Sequence, residues 1–206
     1  IIPGLRRDKL LYIFKKLEDN GLSTKQSHIK SSMVSCTGSK YCPYSESDTK
    51  KHAAELAEYL ESRVELDVPI NIHLTGCSNS CAQHYIGDIG LLATSIRSDN
   101  DIQPAYHVFV GGDFGKRKSH GRQLYKALTM NKLKLRIESM LKFYTKMKQR
   151  NETFQEFTSR FETDRLILMF ECFMKQTKHR PNTEPHNIPE ADDRFCGKLI
   201  HFFTIS

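Results

Sequence analysis

Two pairs of cysteines constrain this chain more than any other feature: Cys36 and Cys42 in CTGSKYC, then Cys77 and Cys81 in TGCSNSC. Small, loop-forming residues surround both pairs. Thiolates that serve one metal cluster must approach a common point. Loops of Gly, Ser and Asn can wrap their backbone around inorganic sulfur and donate amide hydrogens to it, where bulky residues would block the approach. The pattern predicts that the fold brings two loops, distant in sequence, to one place.

Other uses of four cysteines fit less well. Structural zinc sites favour C-x2–4-C pairs, and the spacer of the first pair is longer than that. Disulfides need an oxidising compartment, yet no apolar signal segment is present, and six cysteines in 206 residues is far from the density of a disulfide scaffold. Cys172 and Cys196 lie outside both motifs and read most simply as free thiols.

The length suits one ordinary domain with a core, since 38% of residues are hydrophobic, and no run approaches a membrane span. The formal charge of +7 favours anionic partners without naming one. Basic residues are scattered over helical faces rather than interleaved with aromatics, which argues against a nucleic-acid surface.

Apolar spacing predicts a helix from about Arg7 to Asn20, with Leu10, Leu11, Phe14 and Leu17 on one face and Gly21 ending it. A short strand at Met33–Ser35 leads into the first cysteine loop. Ser45 or Ser47 can cap the next helix, which carries Ala53, Leu56, Ala57, Leu60 and Val64 on one face, and Asp48 suits the positive end of its dipole. Residues Ile70–Thr75 read as a strand feeding the second cysteine loop, and Tyr106–Val110 as another. The latter runs into Gly111, Gly112 and Gly115 followed by Lys116, Arg117 and Lys118. Glycines followed by cations can cradle an anion, but spacing alone favours a solvated turn. Lys132–Lys148 reads as a packing helix through Leu133, Ile137, Met140, Leu141 and Tyr144. Shorter helices are expected over Thr153–Phe161 and Asp164–Phe170, and the polar, Pro-containing stretch beyond Cys172 as a linker or tail. The expected class is α+β, a mixed or antiparallel sheet flanked by helices, with a cluster held in loops at the sheet edge.

The C-x5-C and C-x3-C motifs, in SSMVSCTGSKYCPYSESDTKKHA and INIHLTGCSNSCAQHYIGDIGLLA, are followed by YHVFVGGDFGK and a helical run ending in ETFQEFTSRF. Over about residues 1–170 the chain resembles the sirohaem-dependent nitrite and sulfite reductases, most closely the assimilatory ferredoxin-type nitrite reductase branch. The resemblance implies that Cys36, Cys42, Cys77 and Cys81 bind a [4Fe-4S] cluster and that Cys81 also ligates the sirohaem iron. Asn79 is a candidate contact to the cofactor, through an amide that can donate to sulfur or to a sirohaem carboxylate. With four thiolates filling the cluster, His73 and His84 are expected as ordinary hydrogen-bonding or surface histidines. Lys40, inside the first pair, would favour a more negative reduced cluster.

The resemblance further implies six-electron reduction of nitrite to ammonia. Sulfite reduction to sulfide is the nearest rival, and a non-catalytic [4Fe-4S] electron-transfer module is an alternative from another class. A zinc-stabilised nucleic-acid module keeps the cysteines and the charge but predicts no iron. Relatives are longer and built from two related halves, and the chain begins at Ile1, so it reads as the carboxy-terminal part of a reductase that lacks its amino-terminal half. Residues 1–32 are expected to end the preceding ferredoxin-like half-domain. Residues 33–171 would form the cluster- and sirohaem-binding domain, and 172–206 a linker or tail. Implied partners are an electron donor such as ferredoxin or a flavoprotein, nitrite or sulfite, and the missing half. Neither nucleic acid nor a membrane span is expected, and the location implied is cytoplasmic.

Overall fold

The computed structural model describes residues 2–24, 27–98, 101–115 and 118–177. One mixed sheet has the order β1-β2-β3-β4-β5. β1 (Met33–Ser35), β2 (Ile72–Thr75) and β3 (Ile89–Ser98) run parallel, and β4 (Asp101–Val110) and β5 (Arg122–Thr129) continue antiparallel. Helices α2 (Thr49–Glu61), α3 (Met130–Met147) and α5 (Thr163–Thr177) pack against it, which is the expected α+β arrangement. The first parallel crossover, β1 to β2, contains α2. The second, β2 to β3, contains neither helix nor strand and consists of residues 76–88.

β2 does not alternate. All four of its residues are buried, because it lies between β1 and β3 and is covered on both faces. Two strands go beyond the three read from sequence, β3 and β5, and β4 begins earlier than Tyr106. In β5 the residues Leu124, Ala127 and Leu128 sit at helical spacing, but pairing with β4 prevails. The register shifts in that pairing, and Ala127 takes φ 51° beside the irregularity.

Asp48, rather than Ser45 or Ser47, caps α2: its carboxylate accepts the Lys51 amide at 3.2 Å. The expected stripe Ala53, Leu56, Ala57 and Leu60 is buried, as are Leu133, Ile137, Met140, Leu141 and Tyr144 of α3. Phe143 meets Phe157, Phe170 and Phe173 edge-on, joining α3 to α4 (Phe154–Ser159) and α5. Thr153 and Glu156 form a capping box at the start of α4. α5 continues past Phe170 to Thr177. Between α3 and α5, the half-buried Arg136 forms an ion pair with the buried Glu171.

α1 (Leu10–Asp19) follows a short 3-10 turn at Arg7–Lys9 and ends before Gly21, as expected, but none of its residues is buried. Cys172 corrects the free-thiol reading, for it is disulfide-bonded. The first residues of the expected 172–206 tail instead complete α5, where Cys172, Phe173 and Met174 are buried; Cys196 and the rest of that stretch, beyond residue 177, lie outside the described residues.

Candidate metal centre

The parallel pairing of β1 with β2 places the two cysteine loops. Ser35 sits opposite Leu74, so the chain leaves both strands at the same end of the sheet, and β1 is the edge strand. The Cys36 amide donates to the Leu74 carbonyl at 3.0 Å, carrying the ladder one step into the loop. Beyond it the two loops are tied directly: the Glu46 amide donates to the Gly76 carbonyl at 2.8 Å, and the Gly76 amide donates to Cys36 Sγ at 3.2 Å. A Cβ on residue 76 would stand 1.9 Å from Ser45 Oγ and 2.8 Å from Ser45 Cβ, so this approach requires glycine.

Local turns fold the first loop. The Cys42 amide donates to the Gly38 carbonyl at 3.0 Å, the Ser39 amide to Ser47 at 2.9 Å and the Ser45 amide to Cys42 at 3.2 Å. The Thr49 hydroxyl lies 3.0 Å from the Cys36 carbonyl and 3.3 Å from its sulfur. Behind the loop, the buried Ser47 hydroxyl meets Tyr106 Oη at 2.6 Å, and Tyr106 Oη meets His52 Nδ1 at 2.9 Å. Burial holds the His52 imidazole below its ordinary pKa and the Tyr106 phenol above its own.

The second loop turns tightly, with the Ser80 amide donating to Cys77 at 3.2 Å and Ser80 at φ 54°. It then returns past β2, where His73 Nδ1 donates to the Ala82 carbonyl at 2.8 Å. His84 is fully buried, bonds Ser80 Oγ through Nδ1 at 2.8 Å and lies against Tyr85 and Phe109. Burial pushes its pKa down to about 4, with the neighbouring His73 adding to the effect. Both histidines therefore serve in hydrogen bonds. A Cβ on Gly90 would stand 1.9 Å from the His84 carbonyl, so β3 admits the returning loop only with glycine there.

Cys36, Cys42 and Cys77 are partly exposed and Cys81 is exposed; all four are free. Among the described residues no three His, Cys, Asp or Glu side chains converge as a single-ion site requires. Exposed Asn79 lines a cavity of about 350 Å³ with Cys77, Ser78, Tyr44, Glu46, Leu92, Ala93, Thr94 and His107. Of these, the sequence pointed only to Cys77 and Asn79; among the rest, Thr94 and His107 reach the cavity through the β3–β4 pairing and carry no local motif. Lys40 is exposed, with its ammonium over the Tyr41 ring at 5.4 Å.

The glycine loop after β4 lies against the end of the second cysteine segment: the Gly111 amide donates to the Asp88 carbonyl at 3.1 Å and the Gly121 amide to Tyr85 at 2.7 Å. Asp113 closes the loop on Gly115 and Ser119. Lys118 is exposed, and Lys116 and Arg117 lie outside the described residues. Burial pushes the Asp88 carboxyl up to about 6, although it accepts the Asn71 amide at 2.9 Å.

Residues 29–166, which hold both cysteine loops and the whole sheet, match the nitrite and sulphite reductase 4Fe-4S domain. The chain belongs to that family. Its members bind a [4Fe-4S] cluster and sirohaem. The chain is 38% identical over 110 residues to the ferredoxin–nitrite reductase of Leptolyngbya laminosa, covering 53% of this chain and 22% of that one. It is 32% identical over 173 residues to sulfite reductase [ferredoxin] 2 of Mycolicibacterium paratuberculosis, covering 81% and 31%. The solved structure of the Mycobacterium tuberculosis NirA protein superimposes with a TM-score of 0.72 at 30% identity, covering 79% of this chain and 31% of that one. The chain thus spans less than a third of these relatives. Among the described residues no helix is long and apolar enough to cross a membrane.

Proposed function

We propose that this chain is the cluster- and sirohaem-binding part of a reductase that converts nitrite to ammonia with six electrons. Cys36, Cys42, Cys77 and Cys81 would hold the [4Fe-4S] cluster, and Cys81 would also ligate the sirohaem iron. The observation that carries this reading is the pair of cysteine loops leaving adjacent parallel strands at one end, with the Gly76 amide on Cys36 Sγ. Thiolates are the donor set such clusters take, and the bare Cα of Gly76 leaves room for the close approach. Cys81 is exposed, as a sulfur shared between two centres must be.

When bound, the cluster and macrocycle would supply one-electron transfer and the reduction chemistry itself. The chain's own part is to aim and tune. Rigid strands fix the first cysteine of each loop, Ser80 and His84 hold the turn before Cys81, and the Asn79 amide can donate to a macrocycle carboxylate at the rim. His84 stays neutral at pH 7, so it adds no charge behind the thiolates.

Sulfite reduction to sulfide is the second reading, favoured by the longer alignment with the mycobacterial sulfite reductase. In either case the electron donor is a ferredoxin or a flavoprotein. The substrate pocket would be completed by an amino-terminal half outside this chain, of which residues 1–32 would be the end. Four free thiols suit a reducing cytoplasm, while the Cys172 disulfide runs against it.

Iron, acid-labile sulfide and zinc per chain after anaerobic reconstitution test the reading, beside Cys81→Ser. About four irons and four sulfides, diminished in the variant, are expected. One zinc without sulfide overturns it in favour of a structural metal module. A cluster with no affinity for sirohaem would favour the electron-transfer module.

A further inference from the structure

We propose that the Thr49 hydroxyl tunes the reduction potential of the cluster by donating a hydrogen bond to the sulfur of Cys36. The inference rests on Cys36 being a cluster ligand. Thr49 is the first residue of α2, fully buried, and its Oγ1 lies 3.3 Å from Cys36 Sγ and 3.0 Å from the Cys36 carbonyl. In a free thiol either group could donate. A metal-bound thiolate carries no hydrogen, so in the loaded protein the hydroxyl must be the donor.

The Gly76 amide approaches the same sulfur at 3.2 Å, so Cys36 carries two donors. Among the described residues no hydrogen bond reaches the sulfur of Cys42, Cys77 or Cys81. The cluster would thus be held asymmetrically, with its donors gathered at one corner. Reduction adds negative charge, and a donor to ligand sulfur stabilises the more negative state. The hydroxyl also has a choice that the amide lacks. It can turn between the carbonyl and the sulfur, and the sulfur becomes the better acceptor as charge builds on it. Burial keeps water from replacing the bond. The position is fixed from both sides, since the Thr49 amide donates to Ser47 at 3.0 Å and a Cβ on Gly38 would stand 3.0 Å from Oγ1.

The test compares the reconstituted chain with Thr49→Val, which keeps the shape and removes the hydroxyl, and Thr49→Ser, which keeps the hydroxyl. The readout is the midpoint potential followed by the EPR signal of the reduced cluster. Thr49→Val should shift to a lower potential and Thr49→Ser should stay near the parent. Equal potentials in all three, at equal iron content, overturn the proposal. Should Thr49→Val hold no cluster, pulsed EPR of the reduced parent in H2O and D2O decides. A coupled exchangeable hydroxyl proton beyond that of the Gly76 amide is expected, and a single coupled proton refutes the assignment. Absence of a cluster from the parent itself would strike the ligand reading instead.

Discussion

Replacing Gly76 by alanine tests the joint between the two cysteine loops. The new Cβ would stand 1.9 Å from Ser45 Oγ, 2.8 Å from Ser45 Cβ and 3.3 Å from Cys36 Sγ. Rotating Ser45 removes the first clash at the loss of its bond to the Ser47 carbonyl, 2.8 Å in the parent. The second clash remains, because a Cβ moves only with its backbone, so the loop must shift. Overpacking costs about 1–3 kcal/mol and the lost hydrogen bond about 1 kcal/mol, giving roughly 2–4 kcal/mol of destabilisation. Urea unfolding of the metal-free chain measures it as a lower midpoint at unchanged slope. Ser45→Gly removes both clashing atoms and should return most of the loss in the double variant, which gives a coupling energy between the sites. A Gly76→Ala variant as stable as the parent, or a Ser45→Gly background that rescues nothing, would refute the account of the joint.

Asp88 and His84 should give opposing pH slopes. The Asp88 carboxyl is lifted to about 6, so the native state holds its proton more tightly, and stability from this group falls as pH rises from about 4 to 6. His84 is lowered to about 4, so its contribution rises with pH up to the ordinary histidine range. Asp88→Asn should steepen the gain in urea midpoint between pH 4.5 and 7, and His84→Phe should reverse it; parallel profiles would contradict both assignments. Tyr106→Phe strips Ser47 and His52 of their shared partner and should cost about 1–3 kcal/mol in the same assay. Glu171→Leu alone leaves the half-buried Arg136 without its carboxylate, at a cost of up to about 3 kcal/mol, whereas adding Arg136→Met should recover most of it. A double variant no better than the single one would contradict that pairing.

What the sequence displayed was local. The cysteine spacings, the β2 strand ahead of the second loop and the helical stripes of α2 and α3 all lie within short windows, where composition and period carry the information. β5 was hidden because RQLYKALT is built mostly from good helix formers, and its pairing with β4 makes it a strand. β3 was hidden by Gly90, which weakens a strand in isolation but admits the His84 carbonyl. In the site, Thr49 and the Ser47–Tyr106–His52 group escaped notice for a related reason. Ser47 and Tyr106 are far apart in the chain, and nothing in either neighbourhood announces the other. The capping residue of α2 fell one position beyond Ser47, because that hydroxyl is engaged in the interior.

The helix-free passage from β2 to β3 also sets where the chain can change length. Its residues are pinned in succession, Ser80 to His84, Ala82 to His73 and the His84 carbonyl against Gly90, so the segment holds no slack. A residue deleted between Thr75 and Ile89 would be passed on to β3, and with a side-chain period of two it would turn Leu91 and Ala93 out of the core. Insertions and deletions in variants of this chain should therefore avoid residues 76–88, making that stretch a fixed ruler while outlying connections drift.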